Sequence, residues 1–474
     1  MLGGEFTIGF GMLVWGVVLA SLLLIQRSQA TLGVGLVLAY FLNLGLIHLP
    51  GAYLYLDPQY ALYDRNWVLL GFQQSTIAIA AFGIGAGGTI GLVRQARHSS
   101  ARDEVADSRA KFNPWLHRFY LLFGLISYFV ITPLARNVPT LTAVVAGLDQ
   151  MLLVGICLGL WNAWQSRNWF ALFFWIFTLG LLPAMTILSQ GFIGYGTVAL
   201  LTGLTFLASF FRPRWLVLTV GLIFIFVGLS AFVTYFRDRT EIRKIVWGGE
   251  SVEERVGQVV DTFSHFEWFD PTNARHANYL DQRLNQNWLV GAAIQRLDDG
   301  KSDYKAGATI VDAAISLIPR ALWSDKPVRA GSGNLVSDAT GIAFDRTTSV
   351  GVGQVLEFYI NFGTLGVVVG ALLWGIALAL LDIFASFYLA SGPVRQFTLL
   401  FLVGLALNQP GGSLVDVAAT AGAAIITALV VNDVLVPFFV SIFEEERPAQ
   451  IEPLADPLLN DPDNTFGSFP QYPA

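Results

Sequence analysis

Residues 351–363 read GVGQVLEFYINFG and stand where a long polar stretch gives way to a long apolar one. Wound as a helix, Gln354, Glu357, Asn361 and Thr364 follow one another at spacings of three, four and three. At about 100° per residue the four fall within roughly 80° of one another and make one polar stripe on an otherwise apolar helix. The position between water and lipid matters, because a carboxylate there is costly unless a partner or a water-filled cavity receives it. Two readings of Glu357 stand open at this point: a functional group, or a side chain solvated among lipid headgroups.

The composition around this stretch fixes the class. The chain has 474 residues, 54% of them hydrophobic and 13% charged, with a mean hydropathy of +0.58. Soluble domains carry about 25% charged residues. Many long apolar runs then mean an all-α polytopic membrane protein and not a β-barrel. A net charge of −6 speaks against nucleic acid as a partner. Cys157 is the one cysteine, so there is no disulfide framework and no cysteine metal site. His48, His98, His117, His265 and His276 show no paired metal-ligand spacing. No Lys or Arg precedes the first apolar run, so that run is expected to stay as a spanning helix and not to be a cleaved signal.

Apolar runs long enough to span lie near 7–26, 30–49, 67–93, 118–135, 138–161, 168–188, 191–211, 214–235, 352–384, 394–412 and 415–443. This predicts about eleven helices, with the first turns of the long run at 352–384 protruding or tilted at the interface. Arg27, Arg94, Arg97, Arg102, Arg109, Lys111, Arg118, Arg167, Arg212, Arg214, Arg395 and Arg447 fall in connections on one side, against Arg65 and Arg136 in the short connections opposite. The positive-inside rule makes the first side cytoplasmic, with the N-terminus outside and the C-terminus inside. The expected organisation is an N-terminal bundle of about eight helices at 1–235 with a cytoplasmic linker at 94–118. An extracytoplasmic loop domain follows at 236–350, between helices 8 and 9. About three C-terminal helices occupy 351–443, and the acidic, Pro-rich tail 444–474 reads as disordered and cytoplasmic. Within the large loop, helical patterns cover 251–266 and 275–296, and a Gly- and Ser-rich loop covers 329–352.

Chemistry-bearing residues gather late in that loop. IPRALWSDKPVRAGSGN carries Arg320, Lys326 and Arg329, and Arg346 follows closer to the membrane. Arginine binds phosphate oxygens in bidentate fashion, so these four could grip a pyrophosphate, or be loop charge balanced by Asp325, Asp338 and Asp345. His276 is a candidate base because histidine titrates near neutral pH, or a structural residue. Asp149, Asp382, Asp416 and Asp433 are further ionisable groups in apolar runs; Asp382 and Asp433 lie near helix ends, where headgroup solvation is expected. No P-loop, G-x-S-x-G or HExxH is present, and the single D-x-D falls at 461–463 in the tail.

Taken together, PRALWSDKP, the Gly/Ser stretch, and EFYINFGTLGVVVG entering a helix after one large loop resemble the bacterial oligosaccharide repeat-unit polymerases, the Wzy-type O-antigen polymerases. The match in residues covers about 319–366, and its most specific piece is Glu357, Tyr359, Asn361, Phe362 and Gly363. The chain departs from the family in showing one large outer loop instead of two. The resemblance implies a metal-independent glycosyltransferase of the bacterial inner membrane, with no cofactor. It would join polyprenyl-pyrophosphate-linked oligosaccharides at the outer face. It further implies the lipid bilayer, a flippase and a chain-length regulator as partners. In that chemistry Arg320 and Arg329, with Lys326 and Arg346, would stabilise the leaving pyrophosphate. Glu357, or less favourably His276, would take the hydroxyl proton. Tyr359 and Asn361 would orient the base or a sugar hydroxyl, and Trp323, Trp288 and Tyr279 could stack on sugar faces. Two rivals share much of the pattern: an O-antigen-ligase-like transferase of finished chains, and a non-enzymatic transporter of polysaccharide precursors.

Overall fold

A computed structural model describes residues 2–27, 33–100, 115–135, 139–210, 214–318, 323, 325–327, 332–344 and 351–444. The expected disordered tail, apart from Glu444, and most of the 94–118 linker lie outside the described residues. All regular structure among the described residues is helical. The first half holds α1 (Leu2–Arg27), α2 (Leu36–Leu54), α3 (Arg65–Ser100), α4 (Leu116–Ile126), α5 (Thr132–Ala135), α6 (Pro139–Gln165), α7 (Trp169–Gly180), α8 (Leu182–Gln190), α9 (Gly194–Ala208) and α10 (Arg214–Gly248). The large loop holds α11 (Val252–Ser264), α12 (Ala274–Arg283), α13 (Asn287–Asp298), α14 (Ala308–Ser316) and α15 (Ser332–Thr340). The chain then runs through α16 (Gln354–Ser391), α17 (Val394–Leu407), α18 (Leu414–Val430) and α19 (Val436–Glu444).

Eight helices among the described residues are long and apolar enough to cross a bilayer: Gly4–Ile25, Leu36–Leu54, Arg65–Val93, Leu116–Leu134, Trp169–Gln190, Thr219–Gly248, Gln354–Ser391 and Leu414–Ser441. The protein is a multi-pass α-helical membrane protein. Residues Met1–Ala428 form one compact unit. The second unit, Leu429–Ala474, contains a π-helical turn at Val431–Leu435 and α19 in its described part.

In the first unit α16 packs against α3 over most of its length. Glycine makes this approach possible. A Cβ on Gly85 would come within 2.2 Å of the Leu372 carbonyl oxygen, and one on Gly375 within 2.3 Å of that of Phe82. Without a hydrophobic drive between helices in lipid, such small-residue contacts carry the association.

The first turns of α16 do not protrude, although protrusion is one of the two outcomes the sequence predicts. They fold back into the bundle. Phe362 (φ −143°, ψ 24°) and Gly363 (φ 61°, ψ −151°) break the helix, leaving a short arm at 354–361 and a long arm at 364–391. An unbroken helix would separate Phe358 from Gly370 by about 18 Å. Instead a Cβ on Gly370 would lie 2.7 Å from the Phe358 ring, and that ring stands 6.3 Å from Trp374. The short arm therefore lies back along the long one.

The large loop also differs in detail from the sequence pattern. The expected helix 275–296 is two helices, α12 and α13, broken at 284–286. Asn285 donates to Asp281, and the Gln286 N–H is bonded to the Ile47 carbonyl, so the break is tied to α2. α11 starts at a capping box in which Ser251 and Glu254 satisfy each other's backbone N–H groups. The Gly248 end of α10 and its neighbours share a small core of Ile187, Tyr235, Phe236, Ile242 and Val246. Part of the Gly/Ser-rich stretch is helical, as α15.

Candidate functional site

The polar stripe of the short arm is buried inside protein. Gln354 and Glu357 are wholly buried and Asn361 is 1% exposed. Gln354 accepts from Tyr40 (2.6 Å) and donates to the Gln409 carbonyl (3.3 Å). Its backbone N–H reaches Pro410 O, and that of Gly353 reaches Gly411 O. The non-helical 408–413 segment between α17 and α18 is thus paired with residues 353–354, which is how irregular backbone is tolerated at membrane depth. Asn408 closes the same region by bonding Asn43 and Thr202.

Glu357 stands at the centre. Its Oε2 accepts from the backbone N–H of Leu414 at 2.7 Å, the first residue of α18. A helix N-terminus carries unsatisfied N–H groups and partial positive charge, so it holds a buried carboxylate well. Ser413 and Asp416 complete the cap: Ser413 Oγ donates to Asp416 (2.7 Å) and accepts from the Asp416 N–H (3.1 Å). The second oxygen of Glu357, Oε1, is buried and makes no hydrogen bond of ordinary length. The Thr309 hydroxyl, which accepts from Asn361, acts on the carboxylate as a longer, weaker donor, and the Asp416 and Asp312 charges act on it from farther off. A buried polar atom without a partner is uncommon and costs roughly 1–3 kcal/mol, so Oε1 calls for an explanation in function.

Asn361 pins the short arm to the large loop. Its carbonyl accepts from the Gly307 N–H (2.9 Å), and its amide donates to Thr309 (2.7 Å) and to Glu357 O (2.7 Å). The Lys305 N–H adds a bond to Ile360 O at 2.8 Å. Just past the end of α14 the chain meets α18, where a Cβ on Gly422 would sit 2.0 Å from Leu317 O. Tyr359 is buried, with its ring 6.5 Å from that of Tyr304. Thr364, past the break, is exposed and accepts from Gln74.

The other sequence candidates lie elsewhere. Arg320, Arg329 and Arg346 fall outside the described residues. Lys326 is buried, with Nζ donating to the Ile318 and Ser316 carbonyls at the end of α14, a favourable place for a cation. Trp323 is exposed. Trp288 stacks on Tyr63 at 4.2 Å, and Tyr279 lies against Phe236. His276 is buried with both ring nitrogens engaged. Nδ1 accepts from the Asp270 N–H (3.1 Å), so the proton sits on Nε2, which donates to Glu267 (3.1 Å). Glu267 also receives Arg237 and Arg275. Partial burial pushes the Glu267 carboxyl up, but hydrogen bonds from Arg237 and His276 and the Arg275 charge outweigh it and hold it below its ordinary value. His276 thus has no open nitrogen for a substrate.

Asp382 is likewise not solvated among headgroups. It is buried and accepts from the Leu36 N–H at 2.7 Å, with the N–H groups of Val34, Gly35 and Val37 beside it, at the start of α2. Asp149 is bonded by Ser127 (2.7 Å) and Thr132 (2.9 Å) across a π-helical turn. The sequence reading missed a second polar centre, where His48 bonds Asn287 (2.7 Å) and Asp281 accepts from Asn285 (2.6 Å) and Tyr55 (3.1 Å). Burial is the main reason that the Asp281 carboxyl is pushed up to about 6. The Asn285–Gln286–Asn287 run in the middle of a helical pattern was the available signal.

Residues 92–406 match a protein family described as a domain of unknown function, DUF8712. The chain belongs to that family. The matched region covers about two thirds of the chain and includes the whole of the large loop and α16 with Glu357. No curated protein and no solved structure shows significant similarity to the chain.

Proposed function

We propose that this protein is a membrane glycosyltransferase that polymerises polyprenyl-pyrophosphate-linked oligosaccharide repeat units into surface polysaccharide at the outer face of the bacterial inner membrane. The observation that supports this reading is the half-satisfied carboxylate of Glu357, set in the EFYINFG element that resembles the repeat-unit polymerases. Oε1 takes the proton of an acceptor sugar hydroxyl. The hydroxyl oxygen of the acceptor sugar bonds to the anomeric carbon of the donor, and the bond from this carbon to polyprenyl pyrophosphate breaks. Arg320, Arg329 and Arg346 are assigned to the charge that builds on the leaving group. Thr309 stands beside the carboxylate and Asp312 farther off, so the turn carrying them moves aside to admit the hydroxyl. Asn361 holds that turn and is a positioning residue.

The same reading counts eleven crossings: the eight long helices, the shorter apolar helices Gly194–Ala208 and Val394–Leu407, and α6. The excess of Lys and Arg then puts the N-terminus outside, the large loop outside and the C-terminus in the cytoplasm. A flippase and a chain-length regulator are the expected partners.

The test is a deletion strain complemented with wild type or Glu357→Gln, with membrane abundance checked and surface polysaccharide resolved by length. The expected result is long chains from wild type and single repeat units from the variant. Long chains made but left unattached in the deletion strain would assign a ligase instead. Failure of repeat units to reach the outer face would assign a transporter.

A further inference from the structure

At the end of α10 remote from Arg214, three arginines come together. Arg239 lies one turn past Phe236 and Arg243 two turns past it on α10; Arg283 lies one turn past Tyr279 on α12. The Phe236 and Tyr279 rings meet at 4.8 Å and bring the two helices side by side. The Arg239 guanidinium stands 4.3 Å over the Phe236 ring. Arg243 lies over Phe192 (4.4 Å) and Trp247 (5.4 Å), with Nε donating to Gly191 O at the end of α8 (3.3 Å).

The cluster is unneutralised. Burial first, and then the charges of Arg283 and Arg243, hold the Arg239 guanidinium below its ordinary pKa, with Tyr235 opposing them in part. Arg283 keeps part of its side chain exposed, and the protein packed against the rest, together with the Arg243 charge, holds its guanidinium below its ordinary pKa. Arg239 Nη1 is buried and without a hydrogen-bond partner. The nearby carboxylates are engaged elsewhere: Asp238 and Glu267 with Arg237, Glu241 with Lys244, Asp281 with Tyr55 and Asn285. Like charges packed together and partly desolvated repel, and such a site persists most readily when an anion supplies the missing bonds.

We propose that Arg239, Arg243 and Arg283 form a binding site for a phosphate-type oxyanion. Guanidinium groups pair with phosphate oxygens through two parallel N–H bonds, and three of them match a dianion or a diphosphate. Two sources supply this chemistry, a lipid headgroup and a soluble phosphate. Arg239 lies 25 residues beyond Arg214, about 37 Å along α10 and so just past a hydrocarbon core of about 30 Å. Exposed Trp247 and Tyr195 flank it, as aromatic side chains do at headgroup level. This inference does not rest on the transfer reaction proposed above.

The experiment uses the full chain in detergent. Inorganic phosphate and inorganic pyrophosphate are titrated by calorimetry, and short-chain phosphatidylglycerol is scored as retained adducts by native mass spectrometry. Arg239→Gln and Arg283→Gln are compared with wild type after a check of helix content and monodispersity. Wild type is expected to bind at least one of these probes, with at least tenfold weaker binding in each folded variant. Binding of the inorganic anions assigns a soluble phosphate; retention of the lipid alone assigns a headgroup. Absence of binding of every probe by wild type overturns the proposal, and so does undiminished binding by Arg283→Gln, whose exposed side chain makes that variant the safer one to fold.

Discussion

α16 carries a buried carboxylate near each end, and each meets the start of another helix. Asp382 accepts from the Leu36 N–H and has three further backbone N–H groups, those of Val34, Gly35 and Val37, beside it. Glu357 accepts from one backbone N–H, that of Leu414, with the Thr309 hydroxyl as its other polar neighbour, and its Oε1 is buried without a hydrogen bond of ordinary length. Asp382 fastens α16 to α2. Glu357 fastens the short arm to α18 with one oxygen and holds the other in reserve. Under the proposed function it is incomplete satisfaction, and not burial alone, that singles out Glu357.

The largest expected effect separates the two groups directly. Glu357→Gln keeps an oxygen for the Leu414 N–H but loses the base, so chain elongation in cells should fall by about 10²–10⁴-fold at normal abundance. Asp382→Asn should leave elongation per folded molecule unchanged. Asp382→Ala exposes the other side of the comparison: the N–H groups at the start of α2 lose their acceptor, for a loss of about 3–4 kcal/mol read as an earlier thermal transition. Gly363→Ala attacks the fold-back that brings Glu357 to α18. A side chain at φ 61°, ψ −151° is strained, with an expected cost of about 2–3 kcal/mol in the same assay.

The smallest effect concerns Asp281, a third buried carboxyl, which lies outside the spans. Its folded value of about 6 is above the unfolded value of about 3.9, so its contribution is complete below that lower value and is lost as pH rises through 6. Wild type should lose at most about 3 kcal/mol over this window, and Asp281→Asn should flatten the melting-temperature profile there. A profile with the same slope in the variant would remove Asp281 from the set of strained carboxylates.

The spanning helices were legible because lipid demands long apolar runs with internally bonded backbone, and runs such as 67–93 state this plainly. The polar stripe was legible for the same reason: Gln354, Glu357 and Asn361 share one face, and all three are buried and bonded. The hairpin within α16 was not, since hydropathy reads the same whether a segment runs on or turns back. The signal available was steric: Gly363 at the turn, with Gly366 and Gly370 opening a groove for Phe358. The neutral tautomer of His276 and the helix-end role of Lys326 depend on partners distant in sequence or on backbone atoms, which residue patterns do not display. The Arg239–Arg243–Arg283 cluster depends on the Phe236–Tyr279 contact between two helices, and no spacing in the chain announces it.

The most direct test of the difference between the two carboxylates is elongation by purified protein in liposomes supplied with lipid-linked oligosaccharide, run for wild type, Glu357→Gln and Asp382→Asn at matched thermal stability. The account predicts polymer from wild type and Asp382→Asn, and only unextended oligosaccharide from Glu357→Gln. Polymer from Glu357→Gln at the wild-type rate would contradict it and leave Glu357 as a helix cap alone.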